Sequence, residues 1–64
     1  MVKFDPSNDE VEEVLSLLPL EKEVLVDKII GQLNTTEDYA RSLIWNMKRI
    51  GLIYTNIKHQ LDKV

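Results

Sequence analysis

The stretch NTTEDYARSLIWNMKRIGLIYT, residues 34–55, decides the fold. It opens on Asn34, Thr35 and Thr36, residue types that favour turns and helix starts, and continues with Glu37 and Asp38, whose carboxylates suit the positive end of a helix dipole. Ala40, Leu43, Ile44, Met47 and Ile50 then recur at helical spacing, which predicts a helix reaching about Ile50 with these five residues on its buried face. Gly51 closes that helix, because the left-handed conformation after a last turn is least strained for glycine. Leu52-Ile53-Tyr54-Thr55 follows at once and is β-prone.

Downstream, Gln60 to Val64 reads as the returning strand of a hairpin, although Ile57, Leu61 and Val64 also fit a closing helix. The hairpin is the favoured reading. Upstream, residues 20–33 admit two readings. As one helix they place Leu25, Val26, Ile29, Ile30 and Leu33 on one face; as two pieces, Val24-Leu25-Val26 is a short strand and Asp27 opens a short helix through Leu33. The two-piece reading is preferred. Further back, Pro19 ends a helix that runs from about Asn8 to Leu17, with Val11, Val14, Leu15 and Leu18 as its apolar stripe and Glu10, Glu12 and Glu13 outside. Ser7 and Glu10 have the spacing of a capping box, and residues 1–7 form an arm in which Phe4 can fold back. The expected fold class is mainly α with a small β-hairpin.

Composition limits what such a chain can do. At 64 residues with 44% apolar content it holds one small core, and without cysteine it has neither disulfides nor a thiolate metal site. No apolar run approaches the roughly 20 residues that span a bilayer, so a soluble, intracellular protein with no membrane partner is expected. Catalysis has little support, since His59 is the only histidine and no nucleophile, phosphate loop or zinc spacing accompanies it. No cofactor and no metal are expected. Tyr39 and Tyr54 read as residues bridging core and surface.

A net charge of −3 argues at first against a nucleic-acid partner. Split along the chain, the charge says something else. Residues 1–38 hold 10 acidic and 3 basic side chains, a balance of −7, while residues 39–64 hold 1 acidic and 5 basic, a balance of +4. The basic part coincides with the long helix and the hairpin. On that helix the face opposite the core carries Asp38, Arg41, Ser42, Trp45 and Arg49, with Arg41, Trp45 and Arg49 in line at i, i+4 and i+8. An exposed tryptophan between two arginines calls for a partner surface, unless Trp45 packs under the hairpin or against the arm around Phe4.

Taken together, Asp27 to Leu33, the turn Asn34 to Thr36, the helix Tyr39 to Ile50 and the Gly51-Leu52-Ile53-Tyr54 that follows resemble a winged helix-turn-helix. The resemblance covers Val11 to Val64 and implies one domain over residues 1–64, with residues 1–7 as an arm, 27–50 as the helix-turn-helix and 51–64 as the wing. Within that superfamily the stretch GLIYTNIKHQLDKV is similar to the carboxy-terminal winged-helix domains of archaeal minichromosome maintenance helicases, which implies a role in DNA replication inside a hexameric ATPase. Small transcription regulators with a Gly-Leu-Ile start to the wing are similar as well. What the superfamily resemblance implies for residues is that Arg41, Ser42, Trp45 and Asn46 meet base edges or sugars while Lys48, Arg49 and Lys58 neutralise phosphates.

The expectation is therefore a non-enzymatic module, nucleoid-associated in the cytoplasm, that binds duplex DNA weakly and with strong salt dependence. It would work within a larger assembly, as a dimer, or as a piece of a longer chain. Glu37 and Asp38 count against a helix N-terminus entering the groove head-on. The rival expectation is a protein-interaction or dimerisation module that uses the Trp45 face. A further candidate is the acidic surface of the first helix as a dock for a basic partner, against the plainer reading of a solvated helix face.

Overall fold

A computed structural model describes residues 9–64; Phe4, Ser7, Asn8 and the arm over residues 1–7 lie outside the described residues. The chain runs through helix α1 (Asp9–Leu17), helix α2 (Lys22–Leu33), helix α3 (Glu37–Arg49), strand β1 (Ile53–Thr55) and strand β2 (Leu61–Lys63). It is mainly helical with a small antiparallel hairpin.

Each boundary has a local cause. Helix α1 stops at Leu17, two residues before Pro19, whose bond to Leu18 is cis. Helix α2 ends on Asn34 in the left-handed region (φ 52°), with the Asn34 and Thr35 amides both donating to the Ile30 carbonyl. Thr36 caps α3, its hydroxyl oxygen accepting from the Tyr39 amide at 3.2 Å. At the other end Gly51 (φ 86°) makes a Schellman closure: the Leu52 amide donates to the Met47 carbonyl at 2.9 Å and the Gly51 amide to that of Lys48 at 3.2 Å. The chain therefore enters β1 directly from the helix.

The two-piece reading of residues 20–33 is overturned. Val24, Leu25 and Val26 lie inside α2, a single helix from Lys22, so the helix pair spans residues 22–49 rather than 27–50. Helical period outweighs β propensity here, because one helix buries Leu25, Val26 and Ile29 together. The extended residue lies just ahead of it: Leu20 and Leu61 exchange backbone hydrogen bonds of 3.1 and 2.7 Å, so Leu20 extends the hairpin sheet by one bridge. In the hairpin Ile53 faces Lys63, Tyr54 faces Asp62 and Thr55 faces Leu61. Its loop closes where the Asn56 amide donates to the Gln60 carbonyl at 2.8 Å and the His59 amide to that of Asn56 at 3.0 Å. The Asn56 side-chain oxygen accepts from the Lys58 and Gln60 amides, and His59 takes a positive φ of 61° at the corner.

All five elements feed one core. Val11 and Val14, then Leu25, Val26 and Ile29, then Ala40, Leu43, Ile44 and Met47, then Ile53 and Leu61 are buried, and no polar side chain among the described residues is buried with them. Ile50, expected in that set, is instead 40% exposed, because it is the C-cap of α3 where the backbone has left helical geometry. Glu10, expected outside α1, is half-buried and accepts a hydrogen bond from the Tyr39 hydroxyl, tying α1 to α3.

Candidate nucleic-acid interface

The core-facing stripe of α3 dictates what its opposite side presents. With Ala40, Leu43, Ile44 and Met47 turned inward, Trp45 projects outward and is 63% exposed. Packing beneath the hairpin is thereby excluded for this side chain. Its neighbours are ordered by a short relay along the helix. The Asn46 side-chain amide donates to the Ser42 carbonyl at 2.9 Å, and its oxygen accepts from Arg49 Nη2 at 3.3 Å. That hold places the Arg49 guanidinium over the indole, 5.3 Å from the ring centroid, at cation–π distance. Asn46 thus spends both ends of its amide positioning Arg49, rather than presenting them to a base edge.

Arg41 has a different fate. Its guanidinium forks onto Glu23 through two bonds of 2.9 and 3.1 Å and onto Glu37 through a third of 2.8 Å. Both ion pairs found among the described residues belong to it. The hydrogen bonds to Glu23 and then Glu37 hold the Arg41 pKa above its already high ordinary value, and the bond from Arg41 holds the Glu23 carboxyl below the usual carboxylate range. The contact pins the first turn of α2 to α3. Because Glu23 and Glu37 are well exposed, solvent screens these pairs and their value to stability is small. The carboxylate of Glu37, which stood against approach to a phosphate, shares the single Arg41 guanidinium with Glu23, so the three groups together keep one negative charge.

Between the outer side of α3, the start of α2 and the hairpin lies a cleft of about 630 Å³. Buried Ile44 and Leu61 and exposed Trp45 and Thr55 line it together with Lys22, Arg41, Ser42, Lys48 and His59. None of these nine residues is acidic. In a chain of net charge −3, that is a local reversal of sign. Within this lining the Lys48 ammonium donates to the Thr55 hydroxyl at 3.2 Å.

Of the seven residues singled out in the sequence, Arg41, Ser42, Trp45 and Lys48 line this cleft, Asn46 and Arg49 support Trp45 from beside it, and Lys58 sits exposed on the hairpin loop. Sequence reasoning missed Lys22 and His59. The one-helix reading of residues 20–33 would have found Lys22, since it puts the first turn of α2 beside α3. His59 carried no signal of its own, because only the folded loop brings it back toward Trp45. Among the described residues there is no cluster of histidine and carboxylates able to hold a metal, and no helix long and apolar enough to cross a membrane. No protein-family model matches this chain, and neither the curated proteins nor the solved structures contain a match to it.

Proposed function

We propose that this chain is a non-enzymatic winged helix-turn-helix module that binds duplex DNA weakly through α3 and the hairpin. The observation that carries the reading is the acid-free, cation-lined cleft beside an exposed Trp45–Arg49 pair. Its support from the fold is the succession of helix, bridge at Leu20, helix, turn, helix and hairpin, in which α3 is the recognition helix and residues 51–64 the wing. Lys22, Lys48, Arg49 and Lys58 neutralise phosphates, while Ser42 and Trp45 reach sugars or base edges. With so few unpaired cations the complex is weak, which suits a domain acting inside a larger assembly such as a replicative helicase, or a small regulator at the cytoplasmic nucleoid. Titrating labelled duplex at low salt tests this: binding that weakens as salt rises, with Trp45 indole and α3 amide NMR shifts moving, is expected. Absence of both sinks the reading.

One observation favours a second reading, a protein-interaction surface. Ile57 is 96% exposed on the hairpin loop, and Tyr54 and Val64 are exposed on the hairpin too, more apolar surface than a wing on phosphates requires. Concentration-dependent dimerisation by sedimentation, with no duplex binding, is the outcome this reading expects.

A further inference from the structure

From the shape and chemistry of the cleft we infer that it holds an unpaired nucleobase, so that this module prefers DNA with a single-stranded tail to uninterrupted duplex. The inference rests on the DNA reading above and deepens it. A cleft of about 630 Å³ falls within the range of small-molecule sites, large enough for a flat heterocycle with its sugar. It combines three features that a nucleotide needs together. Ile44 and Leu61 contribute apolar lining, Trp45 an aromatic ring, and Lys22, Lys48 and His59 polar ends suited to a flanking backbone. The Arg49 guanidinium lies over the indole yet is absent from the cleft lining, so it does not fill the space a base would take.

Intact duplex uses this arrangement poorly. In a continuous stack each base face is already covered by its neighbours, and only edges are offered in the grooves. An indole left 63% exposed in a cleft that Ile44 and Leu61 also line is complementary to a base face instead. Stacking on an aromatic side chain tolerates any base, which fits a cleft that offers few groups for reading sequence.

The test compares three fluorescein-labelled probes by anisotropy at one low salt concentration: blunt duplex, the same duplex with a short thymidine tail, and the same duplex with an abasic tail of equal phosphate number. The thymidine tail is expected to bind about 5- to 150-fold tighter than the abasic tail, the range that one stacked base gives. It is also expected to quench Trp45 fluorescence where the abasic tail does not. Trp45→Ala should make the two tails equal, and Trp45→Phe should keep part of the difference; the exposure of Trp45 leaves the fold intact, checked by circular dichroism. Equal affinity of the two tails for the unaltered protein overturns the inference and leaves the duplex reading standing. Failure of all three probes to bind overturns both.

Discussion

Arg41 and Arg49 lie on one side of α3 about two turns apart, yet the DNA-binding reading proposed above gives them opposite parts, and replacing each by Gln separates those parts. Among the described residues Arg49 has neutral partners, the Trp45 ring and the Asn46 oxygen at 3.3 Å. Its charge is available to a phosphate. Arg41 is held by two carboxylates at 2.8–3.1 Å, a group of net charge −1 that has no positive charge to lend. Each phosphate neutralised contributes about 0.9 to the slope of log K against log salt, so a fourfold rise in salt costs about 3.5-fold in affinity per contact. If Lys22, Lys48, Arg49 and Lys58 all engage, the slope is about 3.6 and the same rise in salt costs about 150-fold. Arg49→Gln should then lower the slope by about 0.9, and Arg41→Gln should leave it nearly unchanged while weakening binding at every salt, since Glu23 and Glu37 are left bare beside the cleft. Glu23→Gln should strengthen binding. The assay is anisotropy of a labelled duplex across a salt series, read as slopes rather than single affinities. A slope reduced as much by Arg41→Gln as by Arg49→Gln would show that Arg41 leaves its carboxylates for a phosphate, and would refute this division of roles.

The two glycines give a matched pair of stability tests by thermal unfolding, since a Cβ at either would meet nothing within 4 Å. Gly31→Ala, in the last turn of α2, should stabilise by about 0.5–1 kcal/mol, while Gly51→Ala, at φ 86°, should destabilise by about 1–2 kcal/mol; shifts of the same sign would mean that space and not backbone conformation governs both. Thr36→Ala removes the α3 cap and should cost about 1 kcal/mol in denaturant unfolding, and no change would mean that water replaces the hydroxyl. Met47→Ala empties the centre of the core, where the side chain is fully buried, and should cost about 2–5 kcal/mol, enough to unfold much of so small a protein. The bond to Glu10 raises the Tyr39 pKa, so its contribution is complete below the ordinary tyrosine range and is lost as pH rises through the raised value. Tyr39→Phe should flatten that alkaline arm of the stability curve, and an unchanged arm would dismiss the bond.

Residues 34–55 read nearly as they fold because every signal there agrees: a capping Thr36, acidic residues in the first turn, a four-residue apolar stripe, and Gly51 where φ must be positive. Residues 20–33 misled because two signals compete. Val24, Leu25 and Val26 favour a strand locally, while Leu25, Val26 and Ile29 favour a helix only once a core exists to receive them. No local pattern marks Leu20 as the residue that pairs with Leu61, since one bridge needs no alternation. At the candidate site the exposed Trp45 was legible from helical projection. The capture of Arg41 by Glu23 was not, because 18 positions separate them and only the packing of α2 on α3 makes them neighbours.

These two surprises change what the charge asymmetry means. Counting bases by segment credits residues 39–64 with +4 and places the whole positive surface there. The fold moves a charge in each direction: Lys22, from the acidic part, is brought to the cleft, and Arg41, from the basic part, is withdrawn by two carboxylates. On the DNA reading, what attracts a polyanion is the cations that form no ion pair among the described residues, and of these Lys22, Lys48 and Arg49 lie around Trp45 rather than following the sequence. A cluster of this size gives a contact that salt readily erodes. On the DNA-binding reading proposed above, higher affinity would come from linkage, because tethering a second weak site multiplies binding through effective concentration. Fusing two copies through a flexible linker should accordingly raise duplex affinity by a factor of 10² or more, about the lower end of avidity gains, with no substitution at the cleft. A tandem protein no tighter than the single chain would mean that the face meets something other than a repeating polyanion.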